Sequence, residues 1–181
     1  KDAMIEEPIL LKIKEVLEAE KPARAADLSD DEKKVIKGLH LLTIKPMLYV
    51  ANVSEDEVAD PSENKYVKMV QEYAAAEGAQ VIVVCAKIEE EISELEDEEK
   101  KEFLAELGIA ESGLDQLIKA SYSLLGLATY FTAGVQEVRA WTFRKGMKAP
   151  QCAGIIHSDF ERGFIRAETV AFDDLVEYGS K

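Results

Sequence analysis

The chain is predicted to be α/β, with a helical segment first, a parallel strand, helix and strand next, and a small α+β module last. Residues 1–42 carry apolar side chains at helical spacing, residues 43–126 contain two short apolar runs around an amphipathic helix, and residues 127–181 contain strand-like segments. The net charge is also distributed unevenly, and it changes at the boundary between residues 126 and 127. Residues 127–181 hold seven basic and seven acidic residues, so residues 1–126, with 15 basic and 29 acidic residues, carry the whole net charge of −14.

The helical segment is predicted to contain two helices. Charged residues separate the apolar side chains of the first helix, which ends before Pro22 because proline cannot continue a helix. Those apolar side chains are Ile9, Leu10, Ile13, Val16 and Leu17. The second helix begins after Ser29, where Ser29 and Glu32 have the spacing of a capping box, and it extends to about His40 or Leu42.

The middle part is predicted to form a parallel pair of strands. Residues 46–51 and 81–84 are continuous apolar runs, as in strands buried on both faces, and residues 65–77 form a helix between them. A helical crossover joins parallel strands, and ligands of open parallel sheets bind at the carboxyl ends of the strands. Asn52 and the sequence Cys85-Ala86-Lys87 lie at those ends, so we expect both to face one crevice.

Residues 89–101 are strongly acidic, and their simplest interpretation is the solvated face of helices. A carboxylate cluster that binds a metal is the alternative, but no His or Cys lies nearby and no calcium-loop spacing occurs. No metal site is therefore predicted. The sequence Ser112-Gly113-Leu114-Asp115 begins another helix, which ends near Gly126.

The last part is predicted to be a module of the β-grasp type. Residues 129–132 and 135–143 have strand composition on either side of an Ala133-Gly134 turn, residues 150–157 form a short helix, and residues 164–172 form a third strand. These elements are too few to close such a sheet, so the module is expected to be truncated.

Composition excludes some classes of protein. No signal peptide opens the chain, and no apolar run approaches the roughly 18 residues that a membrane span needs. Cys85 and Cys152 lie in separate apolar stretches, as expected for buried thiols in a reducing compartment. We therefore expect a cytoplasmic protein with no membrane or DNA partner. Because residues 1–126 are so acidic, any contact with nucleic acid needs a local basic cluster.

The sequence Asn52-Val53-Ser54-Glu55 stands where a GTPase carries its guanine-reading Asn-Lys-x-Asp. The Asp of that element accepts two hydrogen bonds from guanine, whereas adenine offers one donor and one acceptor. The Glu55 side chain is one methylene longer than that of Asp, so its carboxylate does not reach the position that the Asp carboxylate occupies. The variant is consistent with a relaxed or reversed base preference.

The neighbouring residues allow two interpretations. Asn52 either contacts the base or only ties two loops together through its amide. Val53 is predicted to contact a base through backbone groups and an apolar face. Ala86 lies in a Cys-Ala-Lys sequence that matches a Ser-Ala-Lys element, whose small residue presents a backbone N–H to the base edge.

The sequence resembles the YchF-type subfamily of Obg-like NTPases over essentially the whole chain. The Asn-x-x-Glu variant carries this resemblance, together with segments similar to the TGS domain, a β-grasp module. Those segments are Phe131-Thr132-Ala133-Gly134, Glu137-Val138-Arg139-Ala140-Trp141-Thr142, Arg144-Lys145-Gly146, Ala149-Pro150-Gln151, Ile156-His157-Ser158-Asp159-Phe160 and Gly163-Phe164-Ile165.

The resemblance implies three parts. Residues 1–42 would end a helical insertion, residues 43–126 would supply the last strands of a parallel P-loop NTPase sheet, and residues 127–181 would be a truncated TGS domain. Asn52, Val53, Glu55 and Ala86 would bind the nucleotide base.

The resemblance also implies an ATPase that prefers ATP over GTP, associates with the ribosome through the large subunit or its RNA, and acts in translation and stress response. No Gly-x-x-x-x-Gly-Lys-Ser/Thr loop occurs in the chain, so Mg²⁺ is expected only with a separate P-loop region and no catalytic residue is assigned here. The alternative is a ribosome- or RNA-docking module without enzymatic activity, built on the β-grasp domain.

The module contains a basic cluster, Arg139, Arg144, Lys145 and Lys148, which is either a solvated face or a contact to ribosomal RNA. Trp141 is predicted to be a core residue. His157 is predicted to cap the C-terminus of a short helix and His40 to end another, so neither receives a catalytic role.

Overall fold

The computed structural model describes residues 2–179 and divides into two compact units, one ending at Leu124 and one beginning at Leu125. The first unit contains, in chain order, α1 (Asp2–Glu18), α2 (Asp30–Val35), β1 (Leu48–Asn52), α3 (Glu55–Val58), α4 (Lys65–Glu77), β2 (Gln80–Val84), α5 (Ala86–Ser93), α6 (Asp97–Glu106) and α7 (Gly113–Leu124). The second contains β3 (Leu127–Ala133), β4 (Val138–Arg144), α8 (Ala149–Ile156), α9 (Ser158–Arg162) and α10 (Phe172–Tyr178).

The predicted amphipathic helix is confirmed as α1, which buries a narrower face than its sequence suggests. Ile9 and Ile13 are buried, whereas Leu10 and Leu17 are exposed. The buried pair joins one apolar core with residues of the turns that precede and follow α2. The other buried members of that core are Ala23, Ala26, Leu28 and Ile36.

The predicted capping box begins α2. The Ser29 hydroxyl accepts a hydrogen bond from the Glu32 N–H at 3.2 Å, and the Glu32 carboxylate accepts one from the Ser29 N–H at 2.7 Å. The α-helix ends at Val35 and a 3₁₀ turn continues it to Leu39, where His40 follows in the left-handed conformation at φ 49°. The segment is thus helical almost to the predicted end.

The predicted parallel pairing is confirmed. β1 and β2 align in register from Leu48 opposite Gln80 to Asn52 opposite Val84, and α4 forms the crossover. Asn64 caps the start of α4 through its side-chain oxygen, and Gly78 ends it at φ 68°, a conformation that glycine adopts without strain. Both strands therefore end at one edge.

A partly buried ion pair ties the helical segment to this strand pair. Arg24 Nη2 lies 2.7 Å from Glu77 Oε2 at the end of α4, and the Tyr49 hydroxyl of β1 donates to the same oxygen at 3.0 Å. The Tyr73 ring meets Tyr49 edge to face, with ring centroids 6.1 Å apart. The bond from Arg24, more than those from the tyrosines, lowers the pKa of Glu77.

The N-terminus of α7 is capped by a carboxylate from α5. Glu89 accepts hydrogen bonds from the N–H groups of Gly113 at 2.6 Å and Leu114 at 3.1 Å. A carboxylate at this position satisfies helix N–H groups that have no partner within the helix. At least one residue of the acidic stretch thus has a structural role beyond the solvated face expected of it.

The second unit begins with the predicted hairpin. β3 and β4 pair in antiparallel register from Leu127 opposite Arg144 to Ala133 opposite Val138. The predicted short helix follows as α8, with Pro150 in its first turn. The Tyr130 hydroxyl on β3 donates to the Cys152 carbonyl on α8 at 2.8 Å, which fixes the helix to the hairpin.

The strand predicted over residues 164–172 is wrong. Residues 164–171 have no regular secondary structure, and α10 begins at Phe172. A strand forms by pairing with a neighbouring strand, and residues 164–171 pair with neither β3 nor β4. Helices α9 and α10 were not predicted. Residues 180 and 181 of the expected module lie outside the described residues.

No helix among residues 2–179 has the length and apolar character needed to cross a membrane.

Gly113 is required by a close approach between α7 and β2. A Cβ at this position would lie 2.7 Å from Val84 Cγ1 and 3.0 Å from Glu89 Oε1. We expect Gly113→Ala to lower the free energy of unfolding by about 1–3 kcal/mol, measured by urea denaturation, because Val84 is β-branched and cannot easily move aside. Gly38→Ala is the control, since a Cβ there would meet nothing within 4 Å. Equal stability of the two variants would contradict this packing.

The Arg24–Glu77 pair predicts a pH dependence of stability. Because the pKa of Glu77 is lowered in the folded state, its contribution is present above the unfolded pKa and is lost as pH falls through the folded value. We expect Glu77→Gln to lower the melting temperature most near pH 7, and the difference from wild type to shrink below about pH 4.5. The measurement is thermal melting by circular dichroism from pH 7 to pH 3. Glu102→Gln, at an exposed position of α6, should show no such difference.

Candidate nucleotide-base site

The structure brings the two predicted base-recognition sequences together where β1 and β2 end. Asn52 is the last residue of β1 and pairs with Val84, the last residue of β2. The buried Cys85 follows β2, and α5 begins at the next residue, Ala86. The in-register ends of the strands therefore place both sequences at one edge, as expected.

A hydrogen bond joins the two sequences directly. Asn52 Oδ1 accepts from the Ala86 N–H at 2.9 Å across 34 residues of chain. The bond caps the first turn of α5, where an N–H has no partner within the helix. The tying role considered for Asn52 is thus present. The Ala86 N–H expected to meet a base edge is already bonded in this conformation.

Val53 is buried and does not lie at the surface where the two strands end. Its side chain is buried, and its N–H donates to the Val84 carbonyl at 2.9 Å, which continues the ladder of the strands by one residue. In this conformation neither its apolar face nor its N–H is open to a base. The expected contact of Val53 with a base stays a prediction.

Glu55 is exposed and begins α3, and its carboxylate pairs with Lys87 of α5. The hydrogen bond to Glu55 raises the pKa of the Lys87 ammonium. A second carboxylate, Glu91, lies 3.8 Å from the same Lys87 nitrogen. Sequence reasoning assigned Lys87 no role, although it is the last residue of the Cys-Ala-Lys sequence.

Glu57 orders the loop between Asn52 and α4, and sequence reasoning missed it. Its carboxylate accepts from the Ser54 hydroxyl at 2.9 Å and from the Asn64 amide at 2.9 Å. The bond from the Ser54 side chain is the largest of the interactions that lower the pKa of Glu57. The signal was present in the sequence, because Ser54 and Glu57 have the same spacing as the capping box at Ser29.

The predicted basic cluster of the second unit is not one patch. Arg139 and Arg144 are five residues apart on β4, so they lie on opposite faces of the hairpin, and they pair with opposite ends of β3. Arg139 stacks on the Trp141 ring at 4.2 Å from its centroid, and Trp141 Nε1 donates to the Thr132 hydroxyl at 2.9 Å. Arg144, Lys145 and Lys148 remain together at the turn between β4 and α8.

The two histidines have structural roles in the backbone. His157 follows α8 and also caps α9, where its Nδ1 accepts from the Asp159 N–H at 3.2 Å. The end of α8 is the position that the sequence predicts for His157. His40 ends a 3₁₀ turn, as predicted.

Known proteins match this chain along almost all of its length. A ribosome-binding ATPase YchF from Bacillus subtilis is 73% identical over 99% of this chain and 49% of its own length. The protein of the same name from Pasteurella multocida is 54% identical over 98% of this chain and 48% of its own length. A family model named YchF-GTPase_C, with the description "Protein of unknown function (DUF933)", matches residues 127–181.

The fold agrees with these matches. The structure described as that of the Schizosaccharomyces pombe YchF GTPase superposes with a TM-score of 0.83 at 37% identity, over 97% of this chain and 47% of that one.

The chain belongs to the YchF family.

The YchF-type chain spans about half the length of the relatives it matches. The names of those relatives include a nucleotide-hydrolysing activity, which is an ATPase in the two bacterial proteins and a GTPase in the yeast protein.

Proposed function

We propose that this chain supplies the base-recognition part of an ATPase that associates with the ribosome and hydrolyses ATP to ADP in preference to GTP. The observation that carries the proposal is the pair of contacts between the two motifs, Asn52 to Ala86 and Glu55 to Lys87. Both contacts lie at the carboxyl ends of parallel strands, where open sheets bind ligands.

The three parts of the chain have separate roles in this proposal. Residues 1–42 end the helical insertion, residues 43–126 form the last strands of a P-loop NTPase sheet, and residues 127–181 are the TGS portion. The chain contains no P-loop sequence, so phosphate and Mg²⁺ binding belong to another part of the protein. The protein acts in the cytoplasm, in translation and stress response.

Base preference follows from the groups at the crevice. Asn52 engages its side-chain oxygen with Ala86, and its amide nitrogen carries two further donors for a purine ring nitrogen, an acceptor that adenine and guanine share. Guanine is best read by a carboxylate with both oxygens free, and the Glu55 carboxylate is paired with Lys87. The pairing of Glu55 therefore favours adenine, whereas Asn52 serves either base.

Nucleotide binding tests the proposal in the full-length protein. We expect Asn52→Ala to weaken the binding of fluorescent ATP and GTP analogues about 10- to 100-fold, because it removes both a ligand contact and the cap of α5. Ser62→Ala, at an exposed position outside the crevice, is the control. Unchanged affinity in Asn52→Ala, or a clear preference of the wild type for GTP, would contradict the proposal. The 181-residue chain alone should not hydrolyse ATP.

The second candidate function is a ribosome- or RNA-docking module without enzymatic activity. Arg144, Lys145 and Lys148 favour it, because they form a local positive group in a unit whose formal charge is balanced. Such a group can bind ribosomal RNA through its phosphates.

Ribosome co-sedimentation tests the docking function. We expect the double variant Arg144→Glu and Lys145→Glu to reduce binding at least about tenfold while nucleotide affinity stays unchanged, since the reversed charges repel phosphate. Arg139→Glu is the matched control, because Arg139 lies on the other face of the hairpin. Equal losses in the two proteins would indicate a general charge effect instead of docking at the turn.

A further inference from the structure

The ion pair between Glu55 and Lys87 links the two base-recognition sequences through their side chains. Glu55 lies at the start of α3 and Lys87 in the first turn of α5, and both side chains are partly exposed, at 41% and 66%. Lys87 has one other carboxylate within 4 Å, that of Glu91, which lies on its own helix. Among these pairs, only that with Glu55 joins the two sequences.

The pair restricts what the Glu55 carboxylate can accept. A free carboxylate can accept two parallel hydrogen bonds from the N1–H and amino group of guanine. A carboxylate oxygen can accept more than one bond, but the ion pair fixes the orientation of the Glu55 carboxylate, so it can bind both guanine donors only where that orientation matches them. Adenine has no such pair of donors, so the orientation of this carboxylate does not affect its binding in the same way. The ion pair therefore acts on the binding of guanine.

We propose that Lys87 is a positioning residue that sets the base preference of this crevice by holding the Glu55 carboxylate away from guanine. The inference rests on the proposed function, because it requires that the base binds where the two sequences meet. It adds a residue that does not contact the base itself and acts on it only through Glu55.

Another role for Lys87 makes a different prediction. If the ammonium group attracted the nucleotide only through its charge, it would act on the triphosphate, which is the same in ATP and GTP. Loss of the ammonium group would then weaken the binding of both nucleotides equally and leave the ratio of their affinities unchanged. The ratio of the two affinities therefore separates positioning of Glu55 from general electrostatic attraction.

The test measures the dissociation constants of fluorescent ATP and GTP analogues in the full-length protein. We expect Lys87→Ala to raise the affinity for GTP relative to ATP by at least about threefold, which is the size of effect that a lost exposed ion pair can produce. Lys87→Arg should retain the wild-type ratio, because its guanidinium can also bind the carboxylate. Glu91→Gln is the matched control, since it alters the other neighbour of Lys87 and leaves Glu55 paired.

A double variant shows whether Lys87 acts through Glu55. In a Glu55→Gln background there is no carboxylate to hold, so Lys87→Ala should no longer change the ratio. An unchanged ratio in Lys87→Ala, or an equal change with and without Glu55, would overturn the inference. Asn52→Ala in the same assay separates the two proposals. If Asn52→Ala weakens the binding of both nucleotides while Lys87→Ala leaves the affinity ratio unchanged, the crevice binds the base and only the role proposed for Lys87 is wrong.

Discussion

The in-register parallel pairing of β1 with β2 brings both sequences of the candidate site to one edge. Parallel strands require a crossover, and α4 supplies it between the Asn64 cap and Gly78. Because Asn52 and Val84 are directly opposite, the chain leaves both strands at one edge, and Asn52 can reach the first N–H of α5. A shift of one residue in this register would turn every side chain of the shifted strand to the other face and separate Asn52 from Ala86.

Carboxylates stabilise much of the first unit, so its acidic composition also serves its internal structure. Glu77 binds Arg24 and Tyr49, Glu89 caps α7, and Glu57 binds Ser54 and Asn64. Glu77 and Glu89 accept bonds from groups distant in the chain, and Glu57 accepts bonds from both ends of the segment around α3, so each carboxylate joins separate parts of the unit. The excess of negative charge is therefore partly used for internal contacts and is not only a solvated surface.

The second unit illustrates how strand formation depends on a partner. The hairpin signals of β3 and β4 lie close together in the chain, and each strand pairs with the other. Residues 164–171 have apolar side chains suited to a strand but remain irregular, and Ile165 and Val170 are exposed. Strand propensity describes how well a residue fits a sheet surface, and it does not supply the neighbouring strand. The same hairpin separates Arg139 from Arg144 because side chains alternate between faces.

The sequence by itself determined the elements whose signals are local. The capping box at Ser29, the helix between Asn64 and Gly78, the parallel strand pair and the β3–β4 hairpin all follow from residues within a few positions of each other or from one short crossover. Tertiary structure alone decided which side chains meet across long stretches of chain. The bond of Asn52 to Ala86 spans 34 residues, and the pairing of Glu55 with Lys87 and the burial of Val53 depend on how α3 and α5 follow the strands. Residues 164–171 stay irregular and pair with neither β3 nor β4. Local pattern fixes backbone preference through sterics and hydrogen bonds between neighbours, whereas contacts between distant groups exist only once the chain has folded.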